Sequence, residues 1–253
     1  MLKKRIIPIQ LLHEGRLVKS RAFERFRDVG DPLKSSAVYN SQTADELVLL
    51  NIARDGRDVN VLVEALAEIS KVCFMPLSIG GGIASIDDAR ALFNAGADKV
   101  IVNSSAYDDA TLLPAIADRF GSQAVIAAID VKRTPGRAPT LWSDCGRLAR
   151  NIDMDTHIAR CVELGAGEIL VQSIDRDGGM AGFDLDMIGA ACAASTIPVI
   201  AAGGAGDYAH LADAFAAGDL SAVACGSLFN FSDSNPIRAR SYLRNKGLAF
   251  RKV

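Results

Sequence analysis

The chain has 253 residues, 28 Lys and Arg against 30 Asp and Glu, a formal charge of −2 and 49% hydrophobic residues. That balance excludes a general attraction to nucleic acid or anionic lipid, so any phosphate binding must be local. No Pro/Gly/Ser-rich or single-charge stretch occurs, which excludes a disordered, collagen-like or coiled-coil chain.

In chain order, β-branched runs at 5–12, 46–52, 76–80, 98–103, 123–131, 168–173, 197–202 and 220–225 predict eight strands. Between them, apolar residues at three- and four-residue spacing predict helices over 60–71, 86–95, 108–119, 155–164 and 208–217. The basic start MLKKR leads into a short apolar segment without a small-residue cleavage site, so it reads as a buried strand rather than a signal peptide. The longest apolar runs fall far short of the roughly 18 residues needed to span a bilayer, and a cytoplasmic protein is expected. Cys73, Cys145, Cys161, Cys192 and Cys225 are odd in number and scattered. Neither a disulfide framework nor a metal site is expected from them, and no cofactor is called for.

Eight βα units in this length predict a closed (β/α)8 barrel as a single domain over 1–253, with an open doubly wound sheet as the alternative. Internal repetition favours the barrel. ELVLLNIARDG (46–56) matches EILVQSIDRDG (168–178), MPLSIGGG (75–82) matches IPVIAAGG (197–204), and Ala95-Gly96 matches Ala217-Gly218, all about 122 residues apart. The chain therefore reads as two fused (β/α)4 halves, about 1–122 and 123–253, whose matched loops face each other across the C-terminal mouth.

Glycine turns follow the third and seventh predicted strands, with Gly81 and Gly82 in one and Gly203 and Gly204 in the other. Glycine lets backbone N–H groups approach an anion closely. Asn103 and Ser104 follow the fourth strand, while Gly226 and Ser227 follow the eighth. Two such pairs at matched strand ends predict two phosphate cradles and a ligand phosphorylated at both ends.

The segments KRII, GRLVK, RDVGDP, GGGI, AGADKV, GSQAVIAAIDVKR, GAGEIL, SIDRDG and GGAG cover most of the chain in order. On these it resembles the cyclase subunit of imidazole glycerol phosphate synthase, a lyase. The resemblance implies a barrel that takes ammonia from a glutaminase partner and uses it on a bisphosphorylated ribulose-linked carboxamide nucleotide. It adds Asp177 and Gly178 of SIDRDG to the second cradle, and it implies an acid/base pair of aspartates at the mouth. Asp130 supplies one. Leu11 stands at the other position, and leucine cannot move a proton. Asn51, Gln172 and Ala202 depart from the pattern as well, whereas Lys19 of GRLVK is kept as a catalytic candidate.

At predicted strand starts stand Arg5, Glu46, Lys99 and Glu168. Alone, each reads as an ordinary solvated strand end. The resemblance implies instead a salt-bridged ammonia gate at the barrel bottom, with Asp98 at the glutaminase interface. Three functions follow. The first is a barrel subunit of a glutamine-dependent complex that passes ammonia to a sugar amidotransferase in surface-polysaccharide synthesis. The second is an imidazole glycerol phosphate synthase cyclase of histidine biosynthesis. The third is a non-catalytic phosphate-ligand-binding barrel.

Overall fold

Short β-branched strands alternating with helices must pair in parallel, because each crossover returns the chain to the same edge. The computed structural model describes residues 3–251 except 56, 57, 135 and 137. Gly56, the end of the first repeat copy, thus lies outside the described residues. Twelve strands are described: β1 (Arg5–His13), β2 (Arg16–Arg21), β3 (Glu24–Gly30), β4 (Leu47–Asn51), β5 (Leu77–Gly80), β6 (Lys99–Val102), β7 (Val125–Lys132), β8 (Thr140–Ser143), β9 (Leu148–Arg150), β10 (Glu168–Ser173), β11 (Val199–Ala202) and β12 (Ala222–Cys225). Eight of them pair in parallel in the order β1, β4, β5, β6, β7, β10, β11, β12, and β12 returns to β1 through Arg5↔Ala222. The sheet is closed, so the open doubly wound alternative is excluded and the predicted barrel is observed.

Strand side chains alternate between two cores, as a period of two requires. Ile7, Ile9, Val48, Ile101, Ile126, Ala128, Leu170, Ile200, Ala202, Ala222 and Ala224 fill the bore, with Leu11 and Leu50 packed on them. Their neighbours, including Ile6, Leu47, Leu49, Val100, Val125, Ile169 and Val199, form the larger core beneath the helices. Each fully buried aliphatic side chain contributes about 1.5–3 kcal/mol, so this double layer is the main source of stability.

The helices are α1 (Pro32–Ser41), α2 (Asn60–Ile69), α3 (Ile86–Ala95), α4 (Ser104–Asp108), α5 (Leu112–Phe120), α6 (Met154–Glu163), α7 (Leu185–Ala194), α8 (Tyr208–Ala217), α9 (Ser227–Phe231) and α10 (Pro236–Asn245). Local chemistry sets their starts. Asp31 caps α1 ahead of Pro32, and Ser85 and Asp88 form a reciprocal capping box on α3. The helix expected over 108–119 is instead α4 and α5, because the Asp109 carboxylate accepts from the Thr111 amide and hydroxyl and turns the chain between them. Strand ends also move inward: Glu46, Pro76, Asp98, Asn103, Gln123, Ile197 and Leu220 fall just outside the strands expected to hold them.

Two antiparallel hairpins that the apolar pattern does not predict rise from the C-terminal ends of barrel strands. β2 and β3 continue from β1, and β8 and β9 continue from β7. The repeat is visible in packing. A Cβ on Gly81 would collide with the Asn51 carbonyl, and one on Gly203 with the Ser173 carbonyl, 122 residues further on; both glycines have positive φ. These paired close approaches are consistent with a duplicated half-barrel. No described helix is long and apolar enough to cross a membrane.

Candidate functional site

At the N-terminal end of the bore the four predicted ions meet. Arg5 donates to Glu46 at 2.6 Å and to Glu168 at 2.8 and 3.2 Å, while Lys99 donates to the same two carboxylates at 3.0 and 2.9 Å. Ser78 donates to Glu46 at 2.6 Å, and Arg5 reaches Ser221 at 3.1 Å. The ions are turned inward and largely buried, with Glu46 only 2% exposed at its side chain. Burial opposes the charge on Glu168, yet its bonds to Arg5 and Lys99 outweigh that and hold its pKa below the usual carboxylate range. For Arg5 the same contest, burial against Glu46 and Glu168, ends with its pKa raised. Both stay charged, and the ring closes the bottom of an apolar bore. Asp98 lies at the same end, exposed, with its carboxylate accepting the Leu77 amide at 2.8 Å.

Between the ring and the mouth the described residues pack a cluster of aliphatic side chains in the bore, a lining that solvates an ammonium ion poorly and a neutral molecule at little cost. At its C-terminal end it opens into a cavity of about 290 Å³. Leu11, Leu50, Ile101, Ala128 and Leu170 form the floor, Gly81, Gly82, Asn103 and Ser104 one wall, and Phe23 and Phe26 of the first hairpin the cover. Asp130 enters this cavity and accepts from Asn103 Nδ2 at 2.8 Å. Burial, reinforced by the charge of Asp177 and only partly offset by Asn103, pushes Asp130 up to about 7. A carboxyl poised there can hold or release a proton near neutrality. Leu11 lines the same cavity from β1, four strands away around the barrel, and adds only an apolar surface.

A second, smaller cavity of about 30 Å³ holds Lys19, Asp177, Gly178, Gly203, Gly204, Gly226 and Ser227, and shares Leu11 and Gln172 with the first. Lys19 is buried and donates to the Ile9 carbonyl. Burial draws its pKa down to about 8, against the opposing pull of Asp177 and Cys225. The space beside it exists because residue 226 is glycine: a Cβ there would stand 2.8 Å from Lys19 Nζ. Asp177 accepts from Ser20 Oγ at 2.6 Å and from the Phe23 amide at 3.4 Å.

The predicted site residues thus gather in three places. Arg5, Glu46, Lys99 and Glu168 form the ring; Leu11, Asp130, Gly81, Gly82, Asn103 and Ser104 line the large cavity; Asp177, Gly178, Gly203, Gly204, Gly226 and Ser227 line the small one. Lys19 belongs with the small cavity and not beside Asp130. Residues without a motif of their own also enter. Arg54 donates to the Phe23 carbonyl at 2.7 Å, the Asp144 amide donates to Ser104 Oγ at 3.0 Å, and Trp142 pairs with Asp130 across β7 and β8 with the Lys132 ammonium 5.1 Å from its ring. The Arg-Asp repeat at 54–55 and 176–177 was the one sequence signal that pointed to Arg54.

Comparison with known proteins gives the family of the whole chain. The family described as "Histidine biosynthesis protein" matches residues 5–234. The imidazole glycerol phosphate synthase subunit HisF of Caulobacter vibrioides is 40% identical over 252 residues, covering 99% of this chain and 97% of that protein. The same subunits of Chlorobaculum parvum and Chloroherpeton thalassium are 42% and 41% identical over 251 residues, covering 99% of this chain and all of theirs. With its closed barrel and full-length similarity, the chain belongs to the histidine biosynthesis protein family as a HisF-like barrel.

Proposed function

We propose that this chain is the ammonia-accepting barrel subunit of a glutamine-dependent synthase. The ring of Arg5, Glu46, Lys99 and Glu168 carries the reading, because four buried ions closing an apolar bore have no packing advantage over aliphatic side chains. A neutral nitrogen nucleophile entering from a glutaminase docked at the Asp98 face would cross the bore and emerge beside Asp130. The two mouth cavities would hold the acceptor's phosphate groups, one at Gly81, Gly82, Asn103 and Ser104, the other around Lys19. Asp130, titrating near 7, would take up the proton lost as nitrogen adds to the acceptor. Mixing the chain with its candidate glutaminase and measuring glutamate release tests this. Stimulation and complex formation are expected; neither occurring with any phosphorylated ligand would reject it.

For the acceptor, similarity along the whole chain to HisF subunits supports the cyclase reaction of imidazole glycerol phosphate synthase, in histidine biosynthesis. It gives no support to surface-polysaccharide amidination. Leu11 is the specific observation that favours that second reading, with ammonia handed on to a sugar amidotransferase, since ring closure requires proton transfers and the mouth has one carboxylate fewer for them. Assay with the bisphosphorylated nucleotide and ammonium salt separates the two. Turnover of about 1 s⁻¹ or more supports the cyclase. A silent parent whose Leu11→Asp variant gains about 10²-fold or more supports the changed acceptor.

A further inference from the structure

The repeated Arg-Asp pair does different things in its two copies. In the first, Arg54 donates to the Phe23 carbonyl at 2.7 Å and its guanidinium lies 5.8 Å from the Phe26 ring, while Asp55 is exposed, 3.5 Å from Arg147. In the second, Asp177 accepts from the Phe23 amide and from Ser20, and its own carbonyl accepts from the Ala22 amide at 3.0 Å. The charge of Arg176 instead acts on Asp184, which is paired with Arg133. One copy thus uses its arginine and the other its aspartate, and both act on the backbone of Phe23 from opposite half-barrels.

Ala22 and Phe23, with φ of +53 and +62, form the two-residue turn that joins the paired residues Arg21 and Glu24, the left-handed pair that a tight hairpin turn requires, so both copies grip the hairpin at its tip. The tip of the second hairpin adds to the grip. Phe23 lies 3.1 Å from where a Cβ on Gly146 would stand, and Arg147 donates to the Arg54 carbonyl at 2.7 Å. Phe23 and Phe26 are the two aromatic residues lining the large cavity.

We propose that the two copies of the repeat have diverged into the two jaws of a latch that holds the hairpin of β2 and β3 shut over the mouth, with Arg54 as the positioning residue for Phe23 and Phe26. The latch stands on contacts within the chain; only its consequence for nitrogen transfer rests on the function proposed above. Shut, the two rings keep water from the cavity in which Asp130 sits, so a neutral nucleophile reaching it meets the acceptor before solvent.

The hairpin carries its own probe, because Arg21, Arg25 and Arg27 are exposed trypsin sites. In Arg54→Ala, trypsin cleavage at these residues is expected to be roughly tenfold faster, the change for loss of one charge-assisted hydrogen bond, while cleavage at exposed Arg238 and Arg244 of α10 is unchanged. Arg54→Lys, which keeps a donor, falls between, and Ser20→Ala loosens the opposite jaw to a smaller extent. An unchanged hairpin rate in Arg54→Ala, or an equal rise at α10, would overturn the latch. With a glutaminase bound, Arg54→Ala should release more ammonia to solvent at constant glutamate production. Absence of that leak, with faster hairpin cleavage intact, would count against the proposed function and leave the latch standing.

Discussion

The two ends of the bore bury the same kinds of side chain and treat them oppositely. At the bottom, two bases face two acids within 3.2 Å, and the partners outweigh burial, so Arg5 and Glu168 hold their charges. At the mouth, Asp130 has an amide for a partner and Lys19 a backbone carbonyl. There burial wins, and both are drawn toward neutrality, to about 7 and about 8. Burial alone therefore does not set how a group titrates in this barrel: hydrogen-bonded opposite ions outweigh it at the ring, whereas at the mouth the charge of Asp177 only partly offsets it for Lys19. A closed ring suits discrimination by charge, whereas uncompensated groups suit proton exchange.

Breaking the compensation should have the largest effect. Glu46→Leu leaves Arg5 and Lys99 facing one carboxylate, and about 3–5 kcal/mol of unfolding free energy should be lost by urea titration. Replacing all four ions by aliphatic residues of similar size should recover most of that stability while abolishing transfer of glutaminase-derived ammonia. Recovery of both would mean that the ring has no selective role.

At the mouth the effect depends on pH. Asp130 binds its proton more tightly in the folded chain than in the unfolded one, so its ionisation destabilises the fold as pH rises from the ordinary carboxylate value through about 7. Asp130→Asn should therefore melt higher than the parent at pH 8 and alike at pH 4. A difference at pH 4 equal to that at pH 8 would contradict the assignment. The parent's ammonia-dependent rate should rise along a limb near 7, and this limb should vanish in Asp130→Asn.

The smallest change is Gly226→Ala. The added methyl crowds the far end of the flexible Lys19 side chain and meets the Ile9 carbonyl at an ordinary 3.6 Å, so stability should fall by about 1 kcal/mol or less. Displaced toward solvent, Lys19 should titrate nearer an ordinary lysine, measurable by the pH dependence of its acylation. An unmoved titration would show that the amine does not need the space beside residue 226.

Much of the barrel was legible because its strands are short apolar runs and helices α2, α3, α6 and α8 carry regular apolar spacing. The 122-residue repeat correctly placed the glycine turns opposite each other, since only glycine tolerates the approach to Asn51 and Ser173. The hairpins were not legible. β3 reads ERFRDVG and is exposed over most of its length, so it lacks the alternation that marks a half-buried strand. Helix α7 is apolar nearly all round, and the buried stripe of α10, Pro236, Ala239, Arg240 and Leu243, contains an arginine, so neither reads as a plain apolar stripe. The ring followed from the family resemblance alone, because four ions spread over 163 residues have no local pattern. The bond between Asn103 and Asp130 joins successive barrel strands and had no sequence signal either.

Trp142 is the chain's one tryptophan, and it sits opposite Asp130 with the Lys132 ammonium over its indole. Ultraviolet emission excited at the red edge of protein absorption therefore originates at this one position, on the second hairpin across from Asp130. Ionisation of the neighbouring carboxyl, or arrival of a phosphorylated guest, alters the field on that single chromophore. The unlabelled protein thus carries an optical gauge of mouth occupancy, readable in stopped flow before any product assay is devised.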